Sequence, residues 1–151
     1  MEDNPKRVSD VMTRNLEVLR PTQTLRDAAQ KMADLNVGVL PVCDGTELIG
    51  VVTDRDMVIR GIAKGVAPNR HAIVEIMTPN PEYCFEDESV DEATEKMAAL
   101  RIRRIFVLDR NRILVGVLSL GDVALDSDVE PREMADTLKN ISEPGRPDRP
   151  V

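Results

Sequence analysis

Hydrophobic residues along the chain follow two spacings, and each spacing predicts one kind of element. After Thr24, apolar side chains recur every three or four residues up to about Asn36, as on one face of an amphipathic helix. The apolar stretches 38–43 and 48–52 are instead short and nearly continuous, and the turn residues Asp44-Gly45 join them. The pattern therefore predicts a helix followed by a β-hairpin.

Shorter elements flank this helix and hairpin. Residues 8–12 are predicted to form a helical turn, and residues 16–19 a brief strand. Thr53 follows the hairpin directly and is predicted to begin a second helix, which reaches about Lys64 and ends at Gly65. The resulting order is β-α-β-β-α.

The same order occurs a second time further along the chain. Met12-Thr13 recurs as Met77-Thr78, which sets the repeat distance at 65 residues. From Gly50 onward the distance is 66 residues, because one extra residue lies within 109–115, at a hairpin tip where insertions are tolerated. The second copy thus predicts a turn at 73–77, a strand at 82–85, a helix at 90–100, a hairpin of strands 102–108 and 113–118, and a closing helix whose first turn contains Asp122.

These patterns divide the chain into two repeats and a short C-terminal region. The repeats are expected at 8–66 and 73–130, a short helix at 131–142, and a disordered tail rich in proline and charge at 143–151. Neither repeat is long enough to bury both faces of its small sheet. We therefore predict an α/β (α+β) fold in which two pseudo-symmetric repeats pack sheet to sheet as one module, with two clefts between them.

Composition limits the functions open to this chain. It has 151 residues and a net charge of −7, and a uniformly acidic surface repels nucleic acid. It contains one tyrosine and two phenylalanines, too few for a base-stacking platform. No apolar run approaches the ~18 residues of a membrane span. We expect a cytoplasmic protein that contacts neither a membrane nor nucleic acid.

Few residues are suited to metal binding or to nucleophilic catalysis. Cys43 and Cys84 lack the spacing of zinc ligands, and we expect two buried thiols. The single histidine, His71, falls in the predicted linker between the repeats. The sequence contains no Gly-rich phosphate loop and no Ser-His-Asp grouping. We therefore predict no metal site, no catalytic residues and no enzymatic activity.

The most distinctive motif occurs once in each repeat, where the hairpin meets the following helix. Residues 50–56 read Gly-Val-Val-Thr-Asp-Arg-Asp, and residues 116–122 read Gly-Val-Leu-Ser-Leu-Gly-Asp. A hydroxyl residue with an acid three positions later commonly caps a helix N-terminus. The same groups also suit a ribose phosphate, because N–H groups and a hydroxyl face the phosphate while a carboxylate accepts from two vicinal sugar hydroxyls.

Two further hydroxyl–acid pairs show why the spacing alone leaves both interpretations open. Thr24 with Asp27, and Ser89 with Glu92, have a similar spacing and also open predicted helices. At residues 53–56 and their counterpart, the recurring apolar strand that leads into the helix favours a ligand site. Strand-to-helix junctions are where α/β folds tend to bind phosphates.

The whole arrangement resembles a known family. Two copies of Met-Thr, an amphipathic helix, an apolar hairpin and Gly-x-x-[Thr/Ser]-x-x-Asp are similar to a tandem pair of cystathionine β-synthase (CBS) domains, over about residues 8–126. The resemblance implies a Bateman module, usually a homodimer, that regulates another protein. It also implies an adenosyl ligand such as AMP, ADP, ATP or S-adenosylmethionine, and no cofactor besides this regulatory ligand.

The resemblance assigns roles to the motif residues. Thr53 and Ser119 stand at the position that contacts phosphate or ribose, and Asp56 and Asp122 at the position that holds the ribose diol. A carboxylate at that position would repel a 2′-phosphate, which argues against NADP as the ligand.

Basic residues near the two motifs are unequally shared. Arg103 and Arg104 enter the second hairpin, whereas the first hairpin has no basic residue at the matching positions. Because neighbours on a strand point to opposite faces, at most one of these two arginines is expected to reach a bound phosphate. Arg55 is a further candidate beside the first motif, followed by Arg60 and Lys64. We therefore predict two unequal sites.

Two functions are consistent with these features. The first is a regulatory sensor, in which an adenosyl ligand binds in the clefts between the repeats. Its occupancy would change the conformation or the dimer arrangement that an as yet unknown partner protein reads. The alternative is a ligand-independent homodimeric interaction or scaffold module, favoured by alanine-rich helix faces that suit close helix packing.

Overall fold

The computed structural model describes residues 6–126, so the predicted helix at 131–142 and the tail at 143–151 lie outside the described residues. This part of the chain forms two compact units. Unit A consists of residues 17–81. Unit B consists of residues 6–16 together with residues 82–126.

Both units contain helices and strands, which confirms the predicted mixed α+β class. In chain order, the elements are α1 (Val8–Val11), α2 (Leu25–Leu35), β1 (Val39–Asp44), β2 (Glu47–Thr53), α3 (Asp54–Asp56), β3 (Thr78–Pro79), β4 (Tyr83–Phe85), α4 (Val90–Leu100), β5 (Arg104–Leu108), β6 (Leu114–Ser119) and α5 (Leu120–Ala124). The predicted turn at 73–77 is a short 3₁₀ helix at Ile73–Glu75. None of the helices within residues 6–126 has the length and apolar character needed to cross a membrane.

Unit A contains an antiparallel sheet with the strand order β1-β2-β3. Val39 lies opposite Thr53 on the neighbouring strand, and Val51 lies opposite Thr78. Strand β3 has only two residues and no apolar run, which is why the hydrophobic pattern did not predict it. Its pairing brings Thr78 to the end of β2, beside the motif at 50–56.

The amphipathic helix α2 covers the core of unit A. Its N-terminus is capped as predicted, because the Thr24 hydroxyl accepts from the Asp27 N–H and the Asp27 carboxylate accepts from the Thr24 N–H. It ends at Asn36, whose left-handed backbone (φ 56°) terminates the helix. The buried side chains of the core are Leu19, Leu25, Ala28, Met32, Leu40, Val42, Val52, Met57, Ile73 and Ile76.

The helix that begins after Thr53 has the predicted length but is irregular. Helix α3 continues as a π-helical turn at Met57–Gly61 and a 3₁₀ turn at Ile62–Lys64. Gly65 ends it with a positive φ of 73°, a conformation that glycine adopts without a steric penalty.

The predicted strand at 16–19 is wrong. Only Leu19 joins the sheet of unit A, through a parallel bridge with Val42. The Leu19 N–H donates to the Pro41 carbonyl, and the Cys43 N–H donates to the Leu19 carbonyl, both at 2.9 Å. Towards residue 16 the next hydrogen bond of this parallel ladder would need an N–H at Pro41, which has none.

Unit B contains a mixed sheet with the strand order β4-β5-β6. Strand β4 is parallel to β5, with Tyr83 opposite Phe106. Strand β6 is antiparallel to β5, with Arg104 opposite Ser119. The buried core consists of Val8, Met12, Cys84, Val90, Ala93, Met97, Ile105, Val107, Leu118, Leu120 and Val123.

The compact units do not coincide with the two sequence repeats. Residues 6–16, which open the first repeat, pack in unit B with the body of the second repeat. The Thr13 N–H donates to the Val117 carbonyl at 2.9 Å, and the Val117 N–H donates back at 3.0 Å. Residues 73–79, which open the second repeat, pack in unit A in the same way. Each unit is therefore built from both repeats.

Candidate functional site

The first motif forms a closed hydrogen-bonded box at the junction of β2 and α3. The Thr53 hydroxyl accepts from the Asp56 N–H at 3.0 Å, and Asp56 Oδ2 accepts from the Thr53 N–H at 3.0 Å. Thr53 is only 7% exposed, and Asp56 is half-buried. Both side chains are therefore held in place by the backbone on which they sit.

A third side chain of unit A reaches the same carboxylate. The Thr78 hydroxyl lies 3.4 Å from both Oδ1 and Oδ2 of Asp56. A carboxylate can only accept hydrogen bonds, so the Thr78 hydroxyl is the donor. Thr78 was not predicted as a site residue, although the recurrence of Met-Thr marked the position.

The glycine of the first motif makes room for the Met77-Thr78 segment. A Cβ atom built on Gly50 would collide with the Met77 Sδ and would lie 3.0 Å from the Thr78 carbonyl oxygen. Glycine is therefore required here by the close approach of β3 to β2. The space is filled by protein, so this glycine does not open the backbone to a phosphate.

The second motif repeats this geometry in unit B. The Ser119 hydroxyl accepts from the Asp122 N–H at 3.0 Å, and Asp122 Oδ2 accepts from the Ser119 N–H at 3.2 Å. The Thr13 hydroxyl donates to the same Oδ2 at 3.3 Å. A Cβ atom on Gly116 would lie 2.7 Å from the Met12 Sδ and 2.8 Å from the Thr13 carbonyl oxygen. Each unit thus contains a capping hydroxyl, a carboxylate and a threonine from a distant segment that donates to this carboxylate. We call Thr13 and Thr78 the crossing threonines.

The hydroxyl–acid pairs at the start of α2 and α4 differ from the two motifs. Asp27 and Glu92 are exposed, and within residues 6–126 neither carboxylate accepts a hydrogen bond from a distant threonine. At the start of α2 the N–H groups of Leu25 and Arg26 already donate to backbone carbonyls, at 3.2 and 3.0 Å. These pairs act as helix caps, and hydrogen bonds from Thr24 lower the pKa of Asp27 below its ordinary value.

The donors at the two motif helices are unequal. The Arg55 N–H on α3 donates to Asp54 Oδ1 at 2.8 Å. The Gly121 N–H, at the matching position of α5, has no hydrogen-bond partner within the described residues.

The arginines predicted near the second motif lie beside Ser119. Arg104 is its cross-strand partner, and the Arg103 carbonyl accepts from the Leu120 N–H at 2.9 Å. Both arginine side chains are exposed. In unit A the position of Arg103 belongs to Gly38, where a Cβ atom would lie 2.9 Å from Asp54 Oδ2. Basic residues thus lie at the second motif, whereas a side chain at the matching place of the first would require the exposed Asp54 carboxylate to shift.

The other basic candidates lie near the first motif but serve different contacts. Arg55 is exposed on α3. Arg60 donates to the carbonyls of Met77 at 3.1 Å and Ile76 at 3.4 Å, so its guanidinium ties the helix after Thr53 to the segment before β3. This contact is structural and takes Arg60 away from the role of a free phosphate ligand.

The cysteines are buried, as predicted, and poorly reactive. Burial raises the pKa of Cys43 to about 11 and that of Cys84 to about 12, so neither thiol ionises near neutral pH. No group of three or more His, Cys, Asp or Glu side chains between residues 6 and 126 is arranged to hold a metal ion.

Comparison with known proteins identifies relatives of both the sequence and the fold. The family model described as "CBS domain" matches residues 8–60 and 73–126. The uncharacterized protein YlbB of Bacillus subtilis is 42% identical over 139 residues, which cover 91% of this chain and 92% of that protein. Two solved structures of similar fold contain adenosyl compounds in their crystals.

The first of these structures is CBSX2 of Arabidopsis thaliana in complex with AMP. It has a TM-score of 0.69 and 26% identity, over 79% of this chain and 94% of that one. The second is the CBS domain pair of protein MJ0100 in complex with 5′-methylthioadenosine and S-adenosyl-L-methionine. Its TM-score is 0.66 at 28% identity, over 80% of this chain and 94% of the other.

Proposed function

Because the chain belongs to the CBS domain family, with one domain at 8–60 and a second at 73–126, we propose that it is a regulatory module that binds an adenosyl ligand. The candidate ligands are AMP, ADP, ATP and S-adenosylmethionine. The observation that carries the proposal is the pair of half-buried carboxylates, Asp56 and Asp122, each held at a strand-to-helix junction. The adenosyl compounds bound to relatives of similar fold support it.

The carboxylates would recognise the ribose. An ionised aspartate offers two acceptor oxygens, which match the two hydroxyl donors of a 2′,3′-diol. In each unit the cap hydrogen bond takes one position on Oδ2 and fixes the direction of the carboxylate. A 2′-phosphate would place two negative charges together, so the site would reject NADP-like ligands.

The phosphate or other acidic tail would meet unequal surroundings in the two units. At the second motif the Gly121 N–H and the exposed Arg103 and Arg104 offer donors, of which one arginine at most points to a given face of the strand. At the first motif the matching N–H is already bonded to Asp54, and the exposed Arg55 is the basic residue within the motif itself. We expect a phosphate to bind more tightly at Asp122 than at Asp56.

Binding would regulate through a shift between conformations. A ligand changes such an equilibrium only by its difference in affinity for the two states, and a partner protein would read the state that prevails. Catalysis is not part of the proposal.

A second candidate function, a ligand-independent homodimeric scaffold, rests on an exposed apolar surface. Val58, Ile59 and Ile62, on the helical segment after the first motif, are 52%, 48% and 66% exposed. Neighbouring apolar side chains of this size suit a protein–protein contact. Such a contact is compatible with the sensor, since a homodimer could carry ligand sites as well.

The experiment that tests the sensor is a thermal-shift titration with AMP, ATP and S-adenosylmethionine. A ligand that binds only the folded state raises the melting temperature with concentration. We expect stabilisation of the wild type that is reduced in Asp56→Asn and in Asp122→Asn, with the larger loss for a phosphate ligand in the Asp122 variant. Asp27→Asn is the matched control, because it changes a similar box that serves only as a cap, and it should keep the full ligand shift.

Two outcomes would contradict the proposal. The first is a panel in which no nucleotide stabilises the protein. The second is an equal ligand shift in all three Asn variants and the wild type. Stabilisation by calorimetrically equivalent sites would leave the sensor standing and refute only the predicted inequality between the two motifs.

A further inference from the structure

The crossing threonines occupy the same acceptors that a sugar would need. Thr78 donates to both oxygens of Asp56, and Thr13 donates to Oδ2 of Asp122, which also accepts the cap N–H. A ribose diol that donates to both carboxylate oxygens would share Oδ1 and Oδ2 of Asp56 with Thr78, and Oδ2 of Asp122 with Thr13. We propose that Thr13 and Thr78 stand in for a sugar hydroxyl and restrain the binding of cis-diol ligands. This inference rests on the proposed adenosyl site and names how that site is regulated.

The backbone of each threonine is fixed, so its hydroxyl can leave only by rotation of the side chain. Thr13 exchanges two backbone hydrogen bonds with Val117, at 2.9 and 3.0 Å. The neighbouring Met12 is buried and packs into the space that the absent side chain of Gly116 leaves. In unit A, Thr78 lies opposite Val51, and Met77 packs over Gly50 in the same way. The segments themselves need not move for a ligand to enter.

The threonine hydrogen bonds are also weak enough to be displaced. Their lengths of 3.3 and 3.4 Å exceed the usual 2.7–2.8 Å of an O–H···O hydrogen bond, and the Thr78 hydroxyl is shared between two oxygens. A diol that offers two well-directed donors would therefore displace the threonine hydroxyl from the carboxylate. The threonine would reduce its affinity by the strength of one weak hydrogen bond.

Each threonine links a motif to the opening segment of the other sequence repeat. Thr13 comes from the segment that opens the first repeat and contacts Asp122 of the second, while Thr78 opens the second and contacts Asp56 of the first. A diol that displaces the hydroxyl would thereby change a contact between the repeats within one unit. Loss of this hydrogen bond would be the first structural effect of ligand binding.

The test compares Thr13→Val and Thr78→Val with Thr13→Ser and Thr78→Ser by calorimetric titration with AMP. Valine has the shape of threonine without the hydroxyl, and serine keeps the hydroxyl. Because the displaced hydrogen bond is weak, each valine variant should bind AMP roughly 2- to 3-fold more tightly at its own site, the low end of the effect of removing one hydrogen bond. The serine variants should stay close to the wild type.

The same titration with 2′,3′-dideoxy-AMP separates competition from a general structural effect. This probe has no diol, so its affinity should be the same for the wild type and the valine variants. A gain that persists with this probe overturns the inference, as does unchanged or weaker AMP binding in the valine variants. In those cases, AMP binding by the wild type would still support the proposed adenosyl site, and only the inference about the threonines would fail. If neither the wild type nor any variant binds AMP, the inference and the proposed function both fail.

Discussion

Single residues at the two motifs show how much of the local pattern serves packing. Gly50 and Gly116 are required because a methionine and a backbone carbonyl from another segment pass close to their Cα atoms. Both glycines belong to the recurring strand that, in the sequence, favoured a ligand site. In the structure they explain why Met-Thr and Gly-x-x-[Thr/Ser] recur together. The Met-Thr segment can pack against the strand only where the strand residue has no Cβ atom.

Adding a methyl group at either glycine should destabilise the fold. We expect Gly50→Ala and Gly116→Ala each to lower the free energy of unfolding by about 1–3 kcal/mol, the usual effect of overpacking. Urea denaturation followed by circular dichroism would measure this change.

Gly121→Ala is the matched control for these two variants. Its Cβ atom would meet only the Ser119 hydroxyl, at 3.5 Å, which is an ordinary contact. Alanine also has a higher helix propensity than glycine, so stability should be unchanged or slightly higher. Equal destabilisation by all three substitutions would show that the Met-Thr crossings do not explain the motif glycines.

The residue scale also shows where sequence reasoning stops. The boxes of Thr53 with Asp56 and of Ser119 with Asp122 follow from spacing, because a cap is a local interaction. Thr13 was not recognised as a neighbour of Asp122, since 109 positions separate the two residues. No local pattern encodes such a contact, although the repeated Met-Thr pair was visible in the sequence.

At the scale of elements, the helices with strong periodicity were predicted most accurately. Helix α4 has the predicted bounds, and α2 begins after Thr24 and ends before Asn36. The predicted strand at 16–19 was wrong, since a short apolar stretch forms a strand only when a neighbour can pair with all of it. Strand β3 was missed for the opposite reason, because tertiary pairing creates it from residues with no strand pattern of their own.

The cap of α2 predicts a defined pH dependence. Hydrogen bonds from the Thr24 backbone and side chain lower the pKa of Asp27 in the folded state. The group therefore stabilises the fold above its unfolded pKa, and this contribution is lost as the pH falls through the folded value. Asp27→Asn should lower the melting temperature near neutral pH and converge with the wild type at acidic pH.

Thr24→Ala provides an independent measure of the same cap. Loss of the capping hydroxyl typically destabilises a protein by about 1 kcal/mol, and it should do so here. It should also reduce the acid sensitivity, because the Asp27 pKa would return toward its ordinary value. An Asp27→Asn protein that differs from the wild type equally at every pH would contradict this account.

At the scale of the whole molecule, the repeats were evident from the sequence but the exchange of their opening segments was not. The family model finds two CBS domains, at residues 8–60 and 73–126. The compact units are divided differently. One combines residues 6–16 with residues 82–126, and the other consists of residues 17–81. A repeat distance cannot show which copy a short segment will join, since both copies offer an equivalent strand edge.

Fragments of the chain should distinguish units from repeats. The fragment 17–81 contains all of unit A, including Ile73 and Ile76, whose side chains are fully buried. The fragment 8–66 contains the first repeat but lacks both isoleucines. We expect a cooperative thermal transition by circular dichroism for 17–81 and a broader, lower one for 8–66. The reverse ranking would contradict the division into these units.

The exchange of segments also determines how the protein responds to cleavage. A protease that cut between residues 66 and 70 would leave two pieces, and each piece would still hold part of both units. The N-terminal piece would keep residues 6–16 inserted in one core, while the C-terminal piece kept residues 73–79 in the other. The nicked protein should therefore elute from a size-exclusion column as a single species under native conditions. The two pieces should separate only under denaturing conditions.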